Sequence, residues 1–340
     1  MAQAYMTEPG QGHNPGQAGS RAERLRNWWR PEGMWRRGIV LAVLAVVLGL
    51  LMLLHARIPN DVGNLGSLLE TFLPWLGLCI PVLLVLAVLR RSATALVALV
   101  LPVFAWVNLF GGQITDKADT GGNLTVATHN VNAENPDPAA TARDIVASDS
   151  DVVALEELTG EALPAYRNGL AKAYPYHTVQ GTVGLWSKRP LSDAKPVDIK
   201  MGWTRALRAT VTAEDGQKVA VYVAHLPSVR VKLAAGFTAN QRDGSAAALG
   251  EAIAAADPEK KVVLLGDLNG TMNDRSLAPV TSQMRSAQGA AGDGFGFSWP
   301  AAFPMARIDQ IMMKGVDPVK AWVMPATGSD HLPVAAALKI

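Results

Sequence analysis

The sequence predicts an α+β domain of layered β-sheet with three membrane-spanning helices ahead of it. Three observations carry this. The residues before Gly111 contain three long apolar runs, the part after Gly122 breaks into apolar runs of strand length, and most of those short runs end in a polar cluster. In order, the clusters are Thr128-His129-Asn130, Leu155-Glu156-Glu157, Gly184 to Pro190, His225-Leu226, Gly266 to Asn269, Arg307-Ile308-Asp309 and Ser329-Asp330-His331. A layered sheet delivers groups at strand ends to one rim, and these are carboxylates, amides and histidines.

The apolar runs are Gly38–Leu54, Phe72–Leu89 and Ala93–Phe110, the last interrupted only by Thr94, Pro102 and Asn108. At a rise of about 1.5 Å per residue, each approaches the roughly 30 Å of a hydrocarbon core. Spans are therefore expected at about 38–56, 70–89 and 92–110. The first is not a removable signal, because two more runs follow it and no small-residue cleavage site does. Six arginines from Arg21 to Arg37 precede the first run, and Arg90-Arg91 form the turn between the second and third. The positive-inside bias then puts the N-terminus in the cytoplasm, and three spans leave the chain after Gly111 on the other side. Residues 1–37 read as a basic cytoplasmic tail, disordered up to Ser20 on its Gly-, Gln- and Pro-rich composition. Residues 38–110 are the membrane part, 111–121 a tether and 122–340 the layered domain.

The chain of 340 residues carries 31 cations and 29 acids. Ten of those cations and seven of those acids precede Gly121, which leaves 21 against 22 in the layered domain. Nucleic-acid binding usually leaves a basic footprint, so this balance argues against such a partner. Cys79 is the only cysteine and lies in the second apolar run, which excludes disulfides and cysteine-based zinc sites.

Within the layered domain, Leu124 to Asn130 alternates as a strand, so Asn130 and Asn132 face the same way if the chain stays extended. Thr141 to Ala147 reads as a helix, and Asp151 to Leu155 as a strand running into Glu156-Glu157. Paired acids there fit a solvated turn as well as a site. Val183 to Leu191 is a strand and turn without evident chemistry. Arg205 to Val211 pairs with Lys218 to Ala224 across Asp215-Gly216, a hairpin whose second strand ends at His225. Ser245 to Ala255 is Ala-rich and helical. Lys261 to Asn269 is the most specific local signal: a buried strand, Gly266 for close approach, and Asp267 and Asn269 on one face at its exit. Such a carboxylate can take a proton from water while the amide donates to a phosphate. Glu157, Asn130 and Asp330 offer hard oxygen ligands, which suit Mg²⁺, Mn²⁺ or Ca²⁺.

The ordered clusters resemble the endonuclease/exonuclease/phosphatase superfamily, with its DNase I-like fold, over roughly Gly122 to Ile340. That resemblance implies a four-layer sandwich of two packed sheets flanked by helices. It also implies roles: Glu157 at the metal with Asn130 and Asp330, Asp267 activating water, Asn269 orienting it, and His225 on the phosphate. His331, held by Asp309, would stabilise or protonate phosphate oxygens, and Asn132, Arg205 and Trp299 would contact substrate. Asn132 stands where some nuclease members have an aspartate, and Leu268 replaces a frequent aromatic residue. Three spans ahead of such a domain, with His225 to Ser228 and Arg307 to Gln310, also resemble actinobacterial membrane proteins associated with teicoplanin resistance.

The resulting expectation is a membrane-anchored, Mg²⁺-dependent phosphoester hydrolase with an extracytoplasmic site. Its expected partners are the bilayer and a lipid-linked phosphate or pyrophosphate of the cell envelope, with no obligate protein partner. Phe295 to Trp299 would touch lipid or a ring substrate, or pack as an ordinary loop. An extracellular nuclease is the alternative, disfavoured by the charge balance. A non-catalytic envelope-binding or resistance protein is the second, disfavoured because it has no need for Asp267, Asn269, Asp309 and His331 together.

Overall fold

Strand alternation sets the architecture of the computed structural model, which describes residues 33–232, 236–256 and 261–340. The polar tail expected up to Ser20, and Arg21 to Arg30, lie outside the described residues.

The chain begins with α1 (Ile39–Leu53), α2 (Leu65–Thr71), α3 (Cys79–Leu89), α4 (Ala93–Ala98) and α5 (Val100–Phe110). This corrects the three equivalent spans expected from run length. Among the described residues, only Ala93–Gln113, which contains α4 and α5, is by itself long and apolar enough to cross a bilayer. α1 has 15 residues. The second run is helical over Leu73–Leu89, but at its start it is bent by 69° from the preceding helix Leu65–Thr71. The bend has two causes. Pro74 opens a 3₁₀ segment, Leu73–Leu78, where its missing N–H costs least. Glu70, wholly buried, is held at 2.9 Å by Arg275 of the layered domain, so α2 is turned toward that domain. Gly77 then lets Trp106 close in, since a Cβ there would meet the indole nitrogen at 2.2 Å. Small residues (Ala42, Ala45, Ala87 and Ala95) fill the bundle interior, while Val43, Val47, Val82, Val85, Val97 and Val100 stay exposed on its outside.

The layered domain runs β1 (Leu124–Asn130), α6 (Pro138–Ala147), β2 (Val152–Glu156), α7 (Leu163–Leu170), β3 (Tyr176–Gln180), β4 (Val183–Ser187), β5 (Leu191–Pro196), β6 (Ala206–Thr212) and β7 (Lys218–Ala224). It continues through the two-residue β8 (Val231–Lys232) and β9 (Gly236–Phe237), then α8 (Asn240–Ala254), β10 (Lys261–Asp267), α9 (Ala278–Thr281), β11 (Arg285–Ser286), α10 (Ala287–Ala291), β12 (Asp309–Lys314), β13 (Asp317–Val323) and β14 (Val334–Lys339). One six-stranded sheet has the order β13-β14-β1-β2-β4-β3, the other β11-β12-β10-β7-β6-β5. Both mix parallel and antiparallel pairs.

Alternation assigns each strand two faces. On β7, Val219, Val221 and Val223 enter the core between the sheets, while Ala220, Tyr222 and Ala224 pack on the α8 side. On β2, Val152 and Ala154 face the other sheet, and Val153 and Leu155 face α6 and α7 with Ala142, Ile145, Tyr166 and Leu170. The layers are therefore helix, sheet, sheet, helix, as the resemblance implied. The β6–β7 hairpin turns at Asp215-Gly216 with Gly216 at φ 81°.

Residues 111–121 connect the two parts, but other groups dock them. Trp75 Nε1 donates to Met305 O at 2.8 Å, Asn64 Nδ2 to Phe237 O at 2.6 Å, and Arg275 reaches Ile58 O and His55 O.

Gly266 is the tightest backbone approach in the domain. Its φ is 146°, and a Cβ there would lie 1.9 Å from Ala224 O on β7. Gly266→Ala is expected to cost more than about 4 kcal/mol, because the β7–β10 ladder under the site cannot open locally. Thermal unfolding of the two proteins in one detergent checks this, and a melting temperature within a degree or two of the original refutes it.

Candidate active site

The site sits where the inward faces of four strands run out at one rim. On β1, Asn130 is in phase with Leu124 and Val126. On β10, Asp267 follows Val263 and Leu265. On β12, Asp309 precedes Ile311 and Met313. The register then pairs Asp267 directly with Asp309 across the antiparallel β10–β12 ladder, and Asn130 with Glu156 across the parallel β1–β2 ladder. His225 follows β7, and Glu157 follows β2 in a left-handed conformation, φ 61°.

Asn130 joins the two halves. Its Nδ2 donates to Asp267 Oδ2 at 3.0 Å and to Glu157 Oε1 at 3.2 Å, while its Oδ1 accepts from Asn132 N at 3.0 Å. Asn130 is thus a clamp between two carboxylates, with its oxygen turned away, rather than the oxygen ligand expected. The amide of Asn269 donates to Asp267 Oδ2 at 3.1 Å and to Leu226 O at 3.0 Å, and its backbone N–H to Asp267 Oδ1 at 2.8 Å. Asn269 fixes the Asp267 carboxylate. His225 Nε2 lies 3.6 Å from Glu157 Oε1 and 3.7 Å from Asp267 Oδ2.

On the facing side, His331 Nδ1 donates to Asp309 Oδ2 at 3.0 Å, and Ser298 Oγ donates to the same oxygen at 2.6 Å. That leaves His331 Nε2 directed toward Asp267 Oδ2, 3.9 Å away. Trp299 lies beside it, with ring centroids 6.5 Å apart. Ser329 Oγ donates to Asn130 O at 2.6 Å and accepts from His331 N at 3.0 Å, tying the histidine loop to β1.

Burial and charge set the protonation states. Burial pushes the Asp267 carboxyl up; the His331 cation opposes this and Asp309 adds to it, and the result is about 7. For Asp309 burial acts upward, but the charge and hydrogen bonds of His331, with Ser298, outweigh it and hold it low. Burial disfavours charged His331, yet Asp309 and Asp267 overcome this and raise it to about 10. His225 goes the other way, held well down by burial and then by Arg205 and His331. The site therefore pairs an imidazolium at His331 with a neutral imidazole at His225. Since His225 Nδ1 is buried without a hydrogen-bond partner, the tautomer with its proton on Nε2 suits the carboxylates it faces.

The remaining expected residues fall at different distances from this centre. Asp330 is exposed on the wall of a cleft of about 490 Å³ that also holds Glu157, Asp267, Asn269, Trp299 and His331. Arg205 donates to His225 O at 3.0 Å, so it positions that segment. Asn132 accepts from Glu134 N at 2.9 Å and caps its own turn, rather than pointing with Asn130, because the strand ends at Asn130 and Asn132 is left-handed, φ 61°.

For Glu156 the solvated turn, one of the two readings of the paired acids, does not hold: the side chain is wholly buried and bonded by Thr128 Oγ1 at 2.8 Å. Burial, with Asp309 and Asp267 nearby, raises its carboxyl well above the usual range. The signal was in the sequence: Glu156 continues the inward series Val152, Ala154. Ser298, and the cleft-lining Ser228 and Arg230, carried no such signal.

For a cation, the donor chemistry fits. Glu157 Oε1 and Asp267 Oδ2 share the Asn130 amide and line the cleft, and both are hard oxygens. Asp267, Asp309 and His331 also bring ligand atoms within 4.8 Å of one another. Asp309 and His331 satisfy each other in that trio, so Glu157 with Asp267 is the better oxygen pair.

Carboxylates at strand ends, a carboxylate–imidazolium pair and a second, neutral imidazole around one cleft are the groups that metal-assisted phosphoester hydrolysis calls for. Residues 127–331 match the endonuclease/exonuclease/phosphatase family, and the chain belongs to it. Members of this family are divalent-metal-dependent phosphoesterases and nucleases. No curated protein sequence matches the chain. Among solved structures, TDP2 of D. rerio complexed with a single-strand DNA product superposes with a TM-score of 0.54 at 18% identity, covering 64% of this chain and 99% of that one. An endonuclease/exonuclease/phosphatase protein of Beutenbergia cavernae gives 0.52 at 19% identity over 65% and 72%, and beta toxin of Staphylococcus aureus 0.51 at 16% over 63% and 99%. At these identities the likeness is one of fold.

Two outcomes follow from the geometry. Asp267→Asn should lower kcat by about 10²–10⁴ and His331→Ala by about 10²–10³, with KM little changed. Glu157→Gln should be severe, and Glu156→Gln mild because its carboxyl is already neutral. Steady-state kinetics on any turned-over phosphate ester decide, and equal defects at Glu156 and Glu157 would misplace the site.

The pH profile is the second outcome. kcat/KM should rise with pH as Asp267 loses its proton, with a limb at or below about 7 because a bound cation favours the carboxylate. It should fall as His331 deprotonates, near 10. Asp309→Asn removes the nearest charge raising His331, so its alkaline limb should move to lower pH. An unmoved limb refutes the pairing.

Proposed function

We propose that this chain is a membrane-anchored phosphoester hydrolase whose active cleft opens outside the cytoplasm and takes a lipid-linked phosphate or pyrophosphate of the cell envelope. One observation carries the reading: Thr71 and Phe72, at the bend of the apolar bundle, are part of the wall of the same cleft that holds Glu157, Asp267 and His331. A site built partly from membrane-associated residues meets its substrate at the bilayer. The resemblance to teicoplanin-resistance membrane proteins supports an envelope substrate.

Mg²⁺ held by the Glu157 carboxylate at the cleft wall would neutralise charge growing on a phosphoryl oxygen. Asp267 takes a proton from water through Oδ2, its orientation fixed by Asn269 and Asn130. His331, charged and aimed by Asp309, donates Nε2–H to a phosphoryl or leaving-group oxygen. His225 donates a neutral N–H from the opposite side, and Arg230 brings a cation to the cleft wall.

The orientation has independent support. Ser92 Oγ donates to Arg37 O, and Ala93 N to Met34 O, so Arg36-Arg37 and Arg90-Arg91 share one end of the bundle. The layered domain docks at the other end, through His55, Glu70 and Trp75. With the arginine-rich end in the cytoplasm, as the positive-inside bias favours, the domain would lie outside.

Two experiments test the reading. Purified full-length protein, assayed on prenyl pyrophosphates, inositol phosphates and plasmid DNA, should hydrolyse the prenyl compounds with Mg²⁺ and lose activity in EDTA. Cleavage of plasmid alone would favour the nuclease instead. In cells, a C-terminal alkaline phosphatase fusion should be active and a C-terminal green fluorescent fusion dark; the reverse overturns the orientation.

A further inference from the structure

The bundle and the layered domain together enclose an apolar groove of about 440 Å³, walled by Trp75, Leu78, Pro81, Val103, Trp106 and Val107 with Phe295 and Phe297. It shares no lining residue with the catalytic cleft, but two rows of side chains run from one to the other. Phe72 lines the cleft and Trp75 the groove, and three residues is one turn of the 3₁₀ segment that follows Phe72. From the domain, Phe295 and Phe297 stack at 5.1 Å and Phe297 stacks on Trp75 at 5.6 Å. Two residues on, Trp299 lies against His331.

We infer that this groove seats the hydrocarbon tail of a lipid phosphate whose headgroup occupies the cleft, an inference that rests on the hydrolase reading above. The polarity of the walls selects the occupant. Trp75 Nε1 is committed to Met305 O at 2.8 Å and Trp106 Nε1 to Pro74 O at 3.0 Å. A peptide laid there would find no partners for its own N–H and C=O groups, and each buried polar group left unpaired opposes binding. An alkyl chain needs none. The groove also borders the outward faces of the 3₁₀ segment, α3 and α5, where Leu78, Val82, Val103 and Val107 are exposed, so a tail can enter sideways from a bilayer.

The test uses the full chain in detergent with hexadecyl phosphate carrying a diazirine at the chain terminus, and hexadecanol carrying the same group. After illumination, peptide mapping should find the phosphate probe on Leu78–Pro81 or Val103–Val107, several-fold above the alcohol. Labelling by the two probes alike, or spread over the outer face of α1, overturns the inference. Val103→Trp with Val107→Trp should abolish groove labelling and lower kcat/KM for hexadecyl phosphate about tenfold, while leaving a water-soluble phosphate ester unaffected. Equal loss on both esters also overturns it. If the soluble ester is cleaved but the groove stays unlabelled, the tail site fails and the hydrolase stands. If the groove is labelled but neither ester is cleaved with Mg²⁺, the hydrolase fails and the lipid site stands.

Discussion

Two carboxylates face each other across the β10–β12 ladder with almost no solvent. Asp267 is 1% exposed and Asp309 is fully buried, and the register fixes them as direct partners. Like charges so placed cannot both stay ionised without a cation close by. The His331 loop supplies it, pinned to β1 through Ser329 and aimed by Asp309. The strands, their register and that loop therefore form one electrostatic unit. Remove the histidine, and one acid must take up a proton.

The same constraint explains why chemically similar groups behave differently. Both histidines are buried, but His331 has Asp309 at hydrogen-bond distance and stays charged, while His225 has Arg205 and His331 as neighbours and stays neutral. The two glutamates are adjacent at the end of β2, but Glu156, its last residue, is trapped between the sheets and Glu157 turns outward on a left-handed residue. Charge at the site is set by strand phase and neighbours, not by residue type.

This also marks how much could be read from the sequence. Strand alternation made the strands and the polar ends at Asn130, Glu157, His225, Asp267 and Asp309 legible, because period-two patterns and strand termini are local, while the packing of two sheets came from the family resemblance. The roles of Asn130 as a clamp and Arg205 as a positioning group were not legible, since each depends on which atom a neighbouring backbone occupies. The break at Phe72 was hidden for the same reason. An apolar run with Pro74 reads as a span, and the second cause of the bend, the pairing of Glu70 with the distant Arg275, is not local in the chain. Ser298 bonds Asp309 from a loop with no periodicity at all.

The Glu70–Arg275 joint bears on function beyond its own stability. Glu70 is fully buried and Arg275 largely so, and Arg275 also takes two backbone carbonyls of the bundle. A flexible link would let the layered domain swing its cleft over a hemisphere of solution. A buried, multiply bonded ion pair, next to the Trp75–Phe297 stack, allows one orientation. Thr71 and Phe72 then remain in the cleft wall in every conformer that keeps the joint. On the proposed reading, affinity for a lipid phosphate would gain from this, because headgroup and tail would meet surfaces already in place and little ordering would be required on binding. The same rigidity works against a long soluble polymer, which needs an open face on both sides of the cleft, and here one side is occupied by the bundle.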